Sequence, residues 1–338
     1  MKKLNCAFYS ILPDMKPYLR GKMRGHNVKI DSKPFELDKL DKNTEVLGVF
    51  VDSEVNKKVL AKLPKLKLII TFSTGYDHID IKEAKKRKIP VCNVPTYGEN
   101  TVAQHAMALL LCLSKKIFRS TKRVKEGVFD YHGLRGFDLK GKTIGIVGTG
   151  HIGIYMIKML SGFETNIVAF DVFKNKELEK KYGFKYVNLN KLLAESDVVS
   201  LHVPLLPSTE HMINKRNIKK MKPGVIIINT ARGGLIEPEA LVWGLEKDIV
   251  AGAGMDVLEE EKLIANPEAI LTGKVEMQDI KDSLMEEIII DHPNTIITPH
   301  SAFNTNEAIK RIINTSVENI KSYTTGEIQN DVTKPRKK

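Results

Sequence analysis

Between Lys142 and His300 the chain alternates short Ile- and Val-rich runs with stretches of helical periodicity, and this rhythm restricts the possible folds more than any other feature. Six runs predict strands: Thr143–Gly148, Asn166–Asp171, Asp197–Val203, Val225–Thr230, Val250–Val257 and Thr295–Thr298. None alternates apolar with polar residues, which is the pattern of parallel strands covered on both faces. The segments between them, such as Ile152–Leu160, Leu189–Ala194 and Pro238–Leu245, place apolar residues three and four apart, on one face of a helix. Such a succession implies an α/β fold with a doubly wound parallel sheet, in a domain of about 200 residues.

The first 98 residues repeat the rhythm in shorter units. Leu4–Tyr9, Val46–Val51, Lys67–Phe72 and Val91–Val94 predict strands, and Ser53–Leu63 and Ile79–Lys88 predict helices, so a second, smaller α/β domain is expected. Near the C-terminus, Glu307–Tyr323 predicts a helix with Ile309, Ile312, Ile313, Val317 and Ile320 along one face. Charge suggests where it belongs. Residues 1–98 hold 20 Lys and Arg against 11 Asp and Glu, residues 301–338 hold 7 against 4, and residues 99–300 hold 26 of each. The two basic ends are therefore paired, giving one domain of 1–98 plus 303–338 and another of 99–302. The chain crosses between them near Tyr97–Thr101 and near His300–Asn304, and the tail from Asp331 is expected to fray.

A net charge of +12 raises the question of nucleic acid, but no recognition helix or RNP-like strand is present and aromatics do not interleave with the basic residues. A lysine-rich solvated surface, with some steering of a small anion, accounts for it. The longest apolar stretch, Ala106–Leu113, is far short of the ~20 residues of a membrane span. The opening MKKLNCAFYSILPD lacks the apolar length and small-residue site of a signal peptide and reads as a strand. Cys6, Cys92 and Cys112 form no C-x-x-C pair and no two histidines have metal-helix spacing, so no metal is expected and a reducing, cytoplasmic setting fits.

The chemistry concentrates at the predicted C-terminal ends of the strands. Gly148-Thr-Gly-His-Ile-Gly153 follows one strand and opens a helix: Gly148 permits a tight turn, Gly150 lets backbone approach a pyrophosphate, and Gly153 lets the helix pack closely. The helix N-terminus supplies amide donors and partial positive charge. Asp171, 18 residues after Gly153, is placed to accept ribose hydroxyls and to repel the extra phosphate of NADP, which favours NAD. Asn229-Thr-Ala-Arg-Gly-Gly234 puts the guanidinium of Arg232, a fork suited to a carboxylate or polarised carbonyl, beside the cofactor. Asp256-Val-Leu-Glu-Glu-Glu261 and Thr298-Pro-His-Ser-Ala-Phe303 end the last two strands, where a carboxylate and an imidazole can form an acid–base pair. Of the nine histidines only His300 falls at this edge with a carboxylate in reach; His105 lies within an apolar helix, and His26, His78 and His211 read as surface or loop residues. Gly252-Ala-Gly254 lacks a following helix and reads as a tight turn of the strand.

In this order, Gly148–Gly153 with Asp171, Leu201-His-Val-Pro204, Asn229–Gly233, Gly254-Met-Asp-Val257 and Thr298-Pro-His300 resemble the D-isomer-specific 2-hydroxyacid dehydrogenases over nearly the whole chain. The resemblance implies a Rossmann NAD-binding domain beside a smaller flavodoxin-like domain, with Arg232, Glu261 and His300 catalytic, Glu261 being set five residues after Asp256. It implies cofactor contacts at Thr101, Gly148, Gly150, His151, Ile152, Gly153, Asp171, His202, Val203, Pro204, Thr230, Ala231 and Asp256, the last orienting the nicotinamide amide. Substrate contacts fall on Ser73, Thr74, Gly75, Tyr97 and Phe303, with Arg232. Tyr97 and the Ala302-Phe303 pair resemble the D-lactate dehydrogenase branch, which implies a small anionic 2-keto or 2-hydroxy acid of pyruvate size and a homodimer, with Val102–Leu113 as its contact helix. The same fold also serves glyoxylate, hydroxypyruvate, formate or phosphite, and includes NAD-sensing corepressors, which the presence of Arg, Glu and His together disfavours. Two features depart from the family pattern: residues 262–291 are long and acidic without an evident role, and His151 stands where Arg is common.

Overall fold

The computed structural model describes residues 3–272 and 275–334. The chain divides into two compact units, Met1–Tyr97 with Thr305–Lys338, and Gly98–Asn304.

The smaller unit is built on five parallel strands, β1 (Asn5–Phe8), β2 (Asn27–Ile30), β3 (Val46–Val49), β4 (Leu68–Thr71) and β5 (Val91–Cys92), in the order β2-β1-β3-β4-β5. This is the flavodoxin-like order. β3 and β4 are buried along their whole length, as their apolar runs require, whereas β2 alternates exposed with half-buried residues at the sheet edge. Asn56 and Asp80 cap the helices Lys57–Lys62 and Ile81–Lys86 by accepting first-turn amides. The helix Asn306–Thr325, capped by Thr305, buries Ile309, Ile312, Ile313, Val317 and Ile320 and belongs to this unit. The tail does not fray where the sequence predicts. Asn93 N donates to Asn330 O (3.1 Å), Val332 N donates to Val91 O (2.8 Å), and the Asp331 carboxylate accepts from Thr333 N and Oγ1. Backbone pairing with β5 thus holds the segment through Asp331–Val332; residues 335–338 lie outside the described residues.

The larger unit carries seven parallel strands: β6 (Thr143–Val147), β7 (Asn166–Phe170), β8 (Lys185–Tyr186), β9 (Val198–Leu201), β10 (Val225–Asn229), β11 (Val250–Met255) and β12 (Thr295–Ile297). Their order is β12-β11-β10-β9-β6-β7-β8. All six predicted strands form, each ending a little earlier than its apolar run; the seventh, β8, is a two-residue edge strand that the sequence does not announce. Ile226 and Ile228 of β10 pack into one core with the helices Glu99–Ser114 and His151–Ser161, while Val225 and Ile227 pack into another with Leu192, Leu193, Leu241 and Leu245. Two covered faces explain why the strands show no polar alternation.

Gly252 and Gly254 lie inside β11 rather than in a turn. A Cβ would come within 2.7 Å of Asn294 O at the first and 2.9 Å of Leu109 Cβ at the second, so these glycines let a neighbouring loop and helix approach the strand. The predicted contact helix also packs inward, with Val102, Ala103, Ala106, Met107, Leu109, Leu110 and Leu113 buried in its own unit. Phe118, Val124, Phe129 and Tyr131, beyond this helix, are among the exposed apolar side chains. Among the described residues no helix is long and apolar enough to cross a membrane.

Candidate active site

The order of the larger sheet reverses between β6 and β9, so the crevice outside their C-terminal ends is where a doubly wound sheet admits a ligand. Gly148 follows β6 with φ +96°, a backbone that side chains disfavour, and a Cβ there would sit 2.7 Å from His202 O beyond β9. At Gly153 a Cβ would meet Gly148 O at 2.0 Å. Gly150, between them, has nothing within 4 Å of the Cβ position. Two glycines are therefore demanded by the protein itself, and the third leaves open space at the N-terminus of the helix His151–Ser161, whose first turn has no side-chain cap. Two buried polar atoms near this edge, His202 Nδ1 and Thr230 Oγ1, find no partner among the described residues. His202 Nε2 pairs with Ser200 Oγ at 2.9 Å, and burial pushes the imidazole down to about 4, so it stays neutral. An open cradle, uncapped amides and orphaned polar atoms fit a dinucleotide.

Asp171 ends β7. Its Oδ2 accepts Thr149 N (2.7 Å) and Thr149 Oγ1 (3.0 Å), and its Oδ1 accepts Phe173 N (2.9 Å), so the carboxylate also fixes the glycine turn. His151 is exposed at the first helical position, Ile152 is half-buried beside it, and Val203 and Pro204 continue the loop after β9. Thr101 is buried in the first turn of Glu99–Ser114.

The loop after β10 is tied by Asn229, fully buried, whose Nδ2 donates to Arg232 O (2.8 Å) while its Oδ1 accepts Ala231 N (3.0 Å). Arg232 Nη1 donates to Ala231 O at 2.6 Å. A Cβ on Gly233 would lie 2.0 Å from the Leu258 carbonyl carbon, so glycine lets this loop pass against the one after β11. In that second loop the three consecutive glutamates take different roles. Glu259 pairs with His211 Nε2 (2.9 Å), the backbone N–H groups of Glu259 and Glu260 donate to Glu286, and Glu261 Oε2 meets His300 Nδ1 at 2.9 Å while its Oε1 accepts Leu258 N.

His300 sits at φ +50°, a strained position for a bulky side chain. Its N–H donates to Asp256 O and Thr298 O, both at 2.9 Å. Asp256 is 1% exposed: Oδ1 accepts Thr298 Oγ1 (2.5 Å) and Ser301 N (2.8 Å), and Oδ2 accepts Ala302 N (2.8 Å). The resemblance assigns this carboxylate to the nicotinamide amide, and within the protein its hydrogen bonds anchor the loop that carries His300. His105, which reads from sequence as a helix histidine, reaches Thr298 Oγ1 at 2.9 Å and Asp256 Oδ1 at 3.5 Å, and so joins the same anchor. Residues 193 apart meet there, and no local signal announces it.

A family model described as the D-isomer specific 2-hydroxyacid dehydrogenase NAD binding domain matches residues 107–302, more than half of the chain. The chain belongs to the D-isomer-specific 2-hydroxyacid dehydrogenases. NAD is the cofactor of this dehydrogenase. It is 38% identical to a Schizosaccharomyces pombe protein called 2-hydroxyacid dehydrogenase homolog 1, over 95% of this chain and 96% of that one. It is 33% identical to the Escherichia coli D-lactate dehydrogenase, over 96% and 98%. Among solved structures, the Aquifex aeolicus D-lactate dehydrogenase complexed with NAD and lactic acid superposes with a TM-score of 0.87 at 34% identity, covering 98% of this chain and all of that one.

In the smaller unit of the dehydrogenase, Ser73–Gly75 follows β4 as a knitted loop. Ser73 Oγ donates to Gly75 O (2.6 Å), Thr74 Oγ1 donates to Val94 O (2.8 Å), and Asn93 Nδ2 donates to Thr74 O (2.8 Å). Tyr97 is half-buried at the end of its unit's first segment, and Phe303 is half-buried in the loop after β12. The sequence gives no role to residues 262–291; their helix Met277–Asp291 brings Glu286, 2% exposed, beneath the glutamate loop. Burial pushes the Glu286 carboxyl up to about 7 against the opposing pull of its two backbone hydrogen bonds.

Proposed function

We propose that this dehydrogenase reduces a 2-keto acid of pyruvate size to the D-2-hydroxy acid with NADH, and runs the reverse reaction with NAD. The observation that carries the reading is the His300 Nδ1–Glu261 Oε2 pair, 2.9 Å apart at the same sheet edge as the Arg232 loop and the glycine turn. With Nδ1 engaged by the carboxylate, Nε2 is the ring nitrogen left to face substrate. In reduction it gives its proton to the oxygen of the forming alkoxide, and in oxidation it takes that proton back. Glu261 orients the ring through its contact with Nδ1. Arg232 binds the substrate carboxylate through its planar fork and stabilises charge developing on the C2 oxygen. When bound, the nicotinamide supplies or accepts the hydride.

On the same reading, Thr101, Gly148, Gly150, His151, Ile152, Gly153, Asp171, His202, Val203, Pro204, Thr230, Ala231 and Asp256 hold the cofactor, and Ser73, Thr74, Gly75, Tyr97 and Phe303 contact substrate. Three free cysteines accord with a cytoplasmic home. The exposed Phe118, Val124, Phe129 and Tyr131 suit a homodimer contact.

The test is NADH oxidation over 2-keto acids of increasing size, from glyoxylate through pyruvate and hydroxypyruvate to branched acids, with NAD reduction by formate and by phosphite alongside. Pyruvate or a near neighbour should be turned over best and give the D product. Turnover of formate or phosphite alone moves the reading to those anions; NADH binding without turnover of any of them favours the NAD-sensing alternative.

A further inference from the structure

We propose that Glu286 is a positioning residue for the acid–base pair: by accepting the backbone N–H groups of Glu259 and Glu260, its carboxylate fixes the turn that presents Glu261 to His300. The inference rests on the reading above of Glu261 and His300 as that pair.

Glu286 Oε1 accepts Glu259 N at 2.5 Å and Oε2 accepts Glu260 N at 3.0 Å, so one carboxylate bridges two successive amides immediately before Glu261. Glu261 is itself held on both sides, by Leu258 N at Oε1 and by His300 Nδ1 at Oε2. A shift of the turn therefore moves the carboxylate away from the imidazole. The helix carrying Glu286 is seated by Ile289, 1% exposed in the core of the larger unit, which gives the clamp a rigid base. A carboxylate 2% exposed is expensive to bury, and an apolar side chain would fill the space at lower cost. Space filling alone thus does not account for an acid here, whereas capture of two amides in a turn does.

The experiment compares wild type, Glu286→Leu and Glu286→Gln, with the exposed neighbour Glu287→Gln as control. Two quantities are measured: hydrogen exchange of the Glu259 and Glu260 amides, and kcat, KM and NADH affinity with pyruvate. Glu286→Leu should accelerate exchange at those amides about tenfold or more and lower kcat by a similar factor, with pyruvate KM and NADH Kd within about twofold of wild type. Glu286→Gln, which keeps one acceptor oxygen, should fall between, and Glu287→Gln should match wild type. If Glu286→Leu fails to fold, Glu286→Gln must show the same split at smaller size. Unchanged exchange overturns the proposal, and so does faster exchange with unchanged kcat, or a fall in kcat matched by loss of NADH affinity. If wild type reduces no 2-keto acid, it is the functional reading that fails, and exchange alone then decides whether Glu286 holds the turn.

Discussion

Gly150 and Gly153 stand three residues apart, and the structure predicts opposite consequences for adding one methyl group to each. At Gly153 the new carbon would lie 2.0 Å from Gly148 O and 3.1 Å from Gly148 C, both backbone atoms of the turn. Relief requires the helix His151–Ser161 to move outward by about 1 Å, at an overpacking cost of ~1–3 kcal/mol. In a chain of this size that lowers Tm by roughly 1–4 °C. At Gly150 the new carbon meets nothing within 4 Å, and φ −67° is comfortable for alanine. Gly150→Ala should therefore fold as well as wild type, or better by ~0.4–1 kcal/mol through the unfolded chain. Its methyl group occupies the space assigned to the pyrophosphate, so the NADH Kd should rise about 10–100-fold, or ~1.4–2.8 kcal/mol. Thermal melts and fluorescence titration of NADH separate the two effects. A Gly150→Ala protein that binds NADH within about twofold of wild type would show that the open space is not the pyrophosphate cradle.

Three further outcomes follow from side chains described above. Arg232→Lys keeps the charge and loses the fork, so steady-state kinetics should show a higher keto-acid KM and a lower kcat, together about 100-fold in kcat/KM, with NADH titrating nearly as before. Asp171→Asn removes the charge that repels a 2′-phosphate, so the ratio of kcat/KM with NADH to that with NADPH should shrink by about tenfold; an unchanged ratio removes Asp171 from cofactor choice. Glu286 gives a pH-dependent stability: burial lifts its carboxyl from 4.5 to about 7, so the folded state binds more protons than the unfolded one in that window. Its contribution must then fall as pH rises from about 4.5 to 7, by up to ~3 kcal/mol, so denaturant melts of Glu286→Gln should gain on wild type by that order between pH 5 and 8. A constant gap would place the carboxyl in a wetter site.

Much of this architecture is legible in the sequence because burial writes itself into composition. β6, β9 and β10 are covered on both faces, so their runs are rich in Ile and Val without polar alternation and mark the strands. β2 and β8 are edge strands with exposed Asn27, Lys29 and Lys185, and nothing in such short polar runs distinguishes a strand from a loop. The Asp331–Val332 segment escapes notice for a related reason: polar residues suggest fraying, but the hydrogen bonds that hold it run through the backbone, which sequence does not display. Gly252 and Gly254 mislead because glycine marks a turn and a close approach equally well. At the site, Gly148, Gly153, Arg232 and His300 are legible because strand ends and spacing place them. Among Glu259, Glu260 and Glu261 the family register, five residues after Asp256, picks the third, and the folded chain brings that carboxylate to His300 Nδ1. His105 and Glu286 act on residues 193 and 26–27 positions away, and their contribution exists only once the chain has folded.

If His300, held by Glu261, carries the proton in reduction of a 2-keto acid, kcat/KM for pyruvate reduction in wild type, His300→Ala, Glu261→Gln and Glu259→Gln decides it. His300→Ala should lose about 10²–10⁴-fold, the size of a general acid–base contribution. Glu261→Gln, which loses the carboxylate 2.9 Å from Nδ1, should lose about tenfold or more, while Glu259→Gln, whose carboxylate faces His211, should stay within about twofold of wild type. A wild-type rate in His300→Ala or Glu261→Gln, or a loss that follows Glu259 instead, would contradict this assignment of the proton carrier.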